Sequence, residues 1–151
     1  MHDDTKHGTS EAAGREIVRT GRCLCGQIRY EVTGELGDIV FCHCSSCRRA
    51  SGTAFATNSP IRASQFRIVS GTSTLKEYES TPGKVRAFCG ACGSPLYSQR
   101  KAKPEALRLR IGTLDTPVNA RPVAHIYATS RADWDLIVDD LPQHEANVPG
   151  Q

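Results

Sequence analysis

Seven cysteines fall in three short clusters: Cys23-Leu24-Cys25, then Cys42-His43-Cys44-Ser45-Ser46-Cys47, then Cys89-Gly90-Ala91-Cys92. Thiolates at such spacings chelate soft or borderline ions, and zinc takes sets of three or four of them in tetrahedral geometry. An odd count cannot pair completely into disulfides. The first 18 residues also lack the apolar stretch of an export signal, so a cytoplasmic protein with free thiols is expected. Cys25 is followed by Gly26 and Cys92 by Gly93, as in metal-binding knuckles where glycine turns the backbone toward the ion. Cys23, Cys25, Cys89 and Cys92 therefore group as a closed, structural Cys₄ site that joins positions 64 residues apart.

Cys42, Cys44 and Cys47 remain. Three protein ligands on a tetrahedral ion leave one position free, the mark of a catalytic zinc. Three thiolates make the metal a poor activator of water and suit it to holding an incoming thiol as thiolate, which points to sulfur chemistry. Two other readings stay open on the residues alone. Cys89 and Cys92 have the spacing of a redox pair, although that would leave five cysteines unexplained. On the second, His43 or another side chain closes the middle cluster into a second structural site, but a residue between two ligands on an extended segment points to the opposite face.

The elements that must position these sulfurs are mostly strands. The chain has 151 residues, 38% hydrophobic and 23% charged, a length and composition that fit one soluble domain. Short alternating runs separated by Gly, Pro, Ser and Thr predict strands at Gln27–Thr33, Ile39–Cys42, Phe55–Asn58, Gln65–Ser70, Thr74–Ser80, Val85–Phe88, Pro95–Ser98, Ala106–Ile111 and His125–Thr129. Two segments read as helical: a short one near Ser45–Ala50, and Ala132–Asp139 with Ser130 as N-cap, Pro142 as stop and Trp134 in the core. Residues 1–18 and 143–151 read as mobile tails around a zinc-binding domain at 19–142.

Residues 19–142 carry 17 Lys or Arg against 11 Asp or Glu. Much of that surplus can balance thiolate–metal groups. The bases come in ones and twos without aromatic interleaving, so nucleic acid is not the expected partner. No apolar run approaches the ~20 residues of a membrane span.

The segments GRCLCGQIRYEV, FCHCSSCRRASGTAFAT, FCGACGSPLY and HIYATSRADW, in this order, resemble the glutathione-dependent formaldehyde-activating enzyme family, the S-(hydroxymethyl)glutathione synthases, which includes centromere protein V-like proteins. The resemblance spans roughly residues 21 to 140 and takes in all seven cysteines. It implies a β-tent of antiparallel sheets, shared with methionine sulfoxide reductase B and a zinc-containing Rab chaperone. It implies the same division of cysteines, with two Zn²⁺ ions. It also implies a carbon–sulfur lyase-type activity that condenses glutathione, or a related small thiol, with formaldehyde. On that reading Cys42, Cys44 and Cys47 are catalytic, and Arg48 or Arg49 meets a substrate carboxylate. His125 and Arg131 lie in the C-terminal signature, which puts His125 near the substrate. Thr53 and Ser94 would donate hydrogen bonds to thiolates. The alternative is a non-catalytic binding module that uses zinc only to fold. Methionine sulfoxide reduction is disfavoured, because no cysteine is left over once all seven are assigned.

Overall fold

The computed structural model describes residues 16–149; most of the expected N-terminal tail, residues 1–15, lies outside them. In chain order the elements are β1 (Val18–Arg22), β2 (Arg29–Thr33), β3 (Val40–Cys42), α1 (Ser45–Ser51), β4 (Ala56–Arg62), β5 (Phe66–Ser70), β6 (Leu75–Thr81), β7 (Lys84–Cys89), β8 (Pro95–Arg100), β9 (Lys103–Arg110) and β10 (Ala124–Ile126). The chain is mainly β, as expected, with one α-helix among the described residues. Strands β1, β2 and β5 form a three-stranded antiparallel sheet in the order β1-β2-β5. The others form a seven-stranded sheet in the order β10-β3-β4-β9-β8-β7-β6, antiparallel throughout except for the parallel pair of β10 and β3.

Alternation in the sequence sets the faces. In β7, Val85, Ala87 and Cys89 are buried while Lys84, Arg86 and Phe88 stay partly exposed on the other side. In β9, Leu107 and Leu109 point inward between the more polar positions. The main core joins Ile28, Tyr30, Val32, Ile61, Leu96, Leu107 and Leu109, with Cys23 and Cys89 at its edge. Burial of each large aliphatic side chain there contributes about 1.5–3 kcal/mol. A smaller core gathers Val40, Ala56, Ala124 and Ile126 around Cys42 and Cys47. Each cysteine set is thus anchored to its own apolar cluster.

Strand β1 carries no apolar alternation in the sequence, because its inward positions are Arg19 and Gly21 rather than large apolar residues. Gly21 lies opposite Tyr30, whose ring occupies the space a Cβ at position 21 would need. The Arg19 guanidinium reaches the carbonyl of Gly34 at 3.1 Å.

Two expectations near the C-terminus are corrected. Ala132–Asp139 is not helical, and Trp134, Leu136 and Val138 are 67%, 75% and 90% exposed. Its sequence fits a two-residue period equally well. That period turns Asp135 and Asp139 toward two buried histidines and leaves Trp134 outside the core. The polar stretch after Pro142 does not run free: it lies along β10, with His144 N–H donating to the His125 carbonyl at 2.9 Å and Ala128 N–H to the His144 carbonyl at 3.0 Å. Backbone pairing holds it there despite its composition.

Candidate metal centre

Two knuckles build the first sulfur set. Cys23 follows β1; its N–H donates to the Ile28 carbonyl at 3.1 Å, and Gly26, at φ 79°, returns its N–H to the Cys23 carbonyl at 3.1 Å. Cys89 ends β7 and repeats the design: its N–H donates to the Ser94 carbonyl at 2.9 Å, and Gly93, at φ 80°, donates to the Cys89 carbonyl at 2.8 Å. Backbone N–H groups also point at sulfur, Ile28 to Cys23 Sγ at 3.3 Å and Cys92 to Cys89 Sγ at 3.4 Å. The four Sγ atoms all lie within 4.8 Å of one another, with Cys23–Cys25 at 3.6 Å and Cys25–Cys89 at 3.8 Å. Zinc–sulfur bonds of ~2.3 Å in a tetrahedron need sulfurs about 3.8 Å apart, so the donor set fits such an ion. Ser94 Oγ accepts from Leu24 N–H at 2.8 Å and lies 3.3 Å from Cys92 Sγ. The Ser94 hydroxyl, followed by backbone N–H groups, holds the Cys92 thiol down to about 5.

The second set sits where β3 runs into α1. Cys42 ends the strand, Cys44 caps the helix by accepting from Cys47 N–H at 3.3 Å, and Cys47 is buried in the first turn. Their Sγ atoms also lie within 4.8 Å of one another. Among the described residues no fourth His, Cys, Asp or Glu joins them. Cys42 and Cys44, and beyond them Arg110 and Arg86, pull the Cys47 thiol down to about 2 against the burial that opposes ionisation. The same crowding pushes Cys42 up. Three converging sulfurs of this kind suit a soft or borderline cation.

The Cys42, Cys44 and Cys47 sulfurs open on a cleft of about 450 Å³. Arg86 directs Nη1 and Nη2 at Cys47 Sγ from 3.8 and 4.0 Å. Arg110, buried behind it, donates to Asn58 Oδ1 at 2.6 Å. Lys84, Arg100 and Arg108 line the far wall. Tyr127, at φ 52° in the left-handed region that non-glycine residues rarely adopt, reaches the cleft from beyond β10. Asn147 closes one side, its Oδ1 accepting from Arg108 Nη2 at 3.2 Å.

The residues expected around substrate fall elsewhere. Arg48 and Arg49 occupy the last turn of α1, and neither lines the cleft. His125 is buried behind the ligand segment, its Nδ1 2.8 Å from His43 Nε2, and its Nε2 donates to Asp139 Oδ2 at 2.9 Å. His43 therefore faces away from the sulfurs, and burial, then the neighbouring His125, keeps its pKa low. Thr53 does not reach sulfur: its hydroxyl donates to the Phe55 carbonyl at 2.7 Å. Arg131 is exposed. The cleft bases carry one signal in the sequence: the alternations Lys84-Val85-Arg86 and Arg108-Leu109-Arg110 mark strands with one apolar and one cationic face.

A family model described as glutathione-dependent formaldehyde-activating enzyme matches residues 18–130. A crystal structure of a Rhodobacter sphaeroides protein is similar at 30% sequence identity and a TM-score of 0.55, the match covering 68% of this chain and 91% of that one.

Proposed function

Because the chain belongs to the glutathione-dependent formaldehyde-activating enzyme family, we propose that it adds the sulfur of glutathione, or of a related small thiol, to formaldehyde. The product is S-(hydroxymethyl)glutathione. A carbon–sulfur bond forms, the carbonyl becomes a hydroxyl, and the thiol proton ends on its oxygen. The reverse reaction is a carbon–sulfur lyase step. The observation that carries this reading is the trio of Cys42, Cys44 and Cys47, which converge without a fourth protein ligand among the described residues and face a basic cleft.

Both sulfur sets suit zinc, with Cys23, Cys25, Cys89 and Cys92 in the structural role. A zinc ion held by Cys42, Cys44 and Cys47 would supply a Lewis-acid seat that favours the thiolate form of a bound thiol near neutral pH. The rest is the work of side chains. Arg86, beside Cys47, draws charge from that sulfur and so limits how much density the trio donates. The cations on β7, β8 and β9 attract a carboxylated thiol and fix its orientation. No helix is long and apolar enough to cross a membrane among the described residues; the free thiols suit a reducing compartment, and the cytoplasm is the location we propose.

Calorimetric titration of the zinc-loaded protein with glutathione, then with S-methylglutathione, tests the reading. The capped sulfur is a poor metal ligand, so affinity should fall at least about tenfold. Equal affinities, with no acceleration of adduct formation, would favour the zinc-stabilised binding module instead.

A further inference from the structure

The cleft holds more positive charge than the three sulfurs account for. The pairing of β7, β8 and β9 sets Arg86 opposite Ser98 and Ser98 opposite Arg108, with Lys84 opposite Arg100 one step along. Among the described residues the Lys and Arg side chains in ion pairs are Arg22, Arg67 and Lys101, and none of these lies in the cleft. No Asp or Glu among the described residues lines it either. Cations gathered across neighbouring strands without a carboxylate repel one another, so an anion from outside the chain would relieve the cluster.

Ser98 gives an independent sign. It is 1% exposed, its Oγ has no hydrogen-bond partner among the described residues, and it lines both the cleft and an adjoining cavity of about 260 Å³. Lys84, Arg100 and Arg108 are common to the two spaces. A buried hydroxyl left unpaired is costly unless something accepts from it. Here a free donor stands among cations, the arrangement that suits an oxyanion.

Resting on the thiol reading above, we propose that Ser98, Lys84, Arg100 and Arg108 form an oxyanion seat, and that the thiol substrate is selected by negative charge remote from its sulfur. The seat takes a phosphate or a carboxylate. Among the described residues no carboxylate of the lining meets the ammonium of glutathione, so recognition rests on the acidic groups of the thiol.

The zinc-loaded full chain is titrated with glutathione, deaminated glutathione, phosphopantetheine, cysteamine and inorganic phosphate. Deaminated glutathione should bind at least as tightly as glutathione, cysteamine about tenfold or more weakly, and phosphate should compete with the acidic thiols. Phosphopantetheine binding more tightly assigns the seat to phosphate; deaminated glutathione binding more tightly assigns it to carboxylate. Ser98→Ala deletes an unpaired hydroxyl and should fold at least as well as the parent, yet bind the acidic thiols about tenfold more weakly; Lys84→Gln should act likewise. Cysteamine matching glutathione, a large loss on removing the ammonium, or unchanged affinities in Ser98→Ala overturns the proposal. If S-methylglutathione binds as well as glutathione while Ser98→Ala weakens both, the sulfur reading fails and the oxyanion seat stands.

Discussion

His43 Nε2 lies 2.8 Å from His125 Nδ1, in a pair where both rings are buried and the outer end is held by Asp139. His43 sits between two sulfur ligands, and His125 belongs to the strand alongside. The pair therefore ties the Cys42–Cys44 segment to β10 from behind, where neither ring reaches the cleft.

His125→Ala should accordingly act on metal retention. It leaves His43 Nε2 without its partner, at a cost of about 1–3 kcal/mol, and frees the ligand segment, lowering affinity for one of two ions by about 10–100-fold. Urea unfolding and stepwise chelator competition measure the two effects. Equal loss at both ions, or at neither, would refute the tie.

The two sulfur sets should separate on substitution. Cys92→Ser breaks the junction of the knuckles at the edge of the main core, and the protein should be unfolded or insoluble. Cys44→Ser alters a helix cap beside a smaller core and should keep a cooperative fold while losing glutathione binding. Circular dichroism and calorimetry on both variants decide; similar unfolding of both would erase the distinction.

Ser94 joins both knuckles, accepting from Leu24 and facing the Cys92 sulfur. Ser94→Ala should lower stability by about 1 kcal/mol and weaken the Cys₄ ion about tenfold, with glutathione affinity intact. A chelator curve identical to the parent's would count against the hydroxyl.

Lys84 makes stability depend on pH in an unusual sense. Burial first, then Arg108, Arg100, Arg86 and Arg110, push its ammonium down from 10.5 to about 8. The unfolded chain binds that proton more tightly than the folded one, so the ligand-free protein should gain stability as pH rises through the interval between those values and should gain nothing below it. Lys84→Gln should remove the rise and stabilise the ligand-free protein at neutral pH. Heat-unfolding midpoints across the range check both; a profile unchanged by the substitution would show that Lys84 is not its source.

The sulfur sets were legible because chelation forces ligands close together along the chain, and the glycines at 26 and 93 separated closed knuckles from the trio. The strands were legible wherever alternate positions were apolar. The basic wall was not, since residues 84, 86, 100 and 108 meet only through the pairing of three strands. Trp134, Leu136 and Val138 misled in the other direction: an apolar-rich stretch read as a helix because its sequence does not show that Asp135 and Asp139 answer to His43 and His125.

The stretch laid along β10 has a consequence for the order of assembly. Both sulfur sets are complete once residue 92 has been synthesised, whereas the wall formed by Asn147 arrives 55 residues later. A nascent or clipped polypeptide ending before that wall would already possess every metal ligand while its cleft stood open on one flank, so metal capture can precede substrate discrimination.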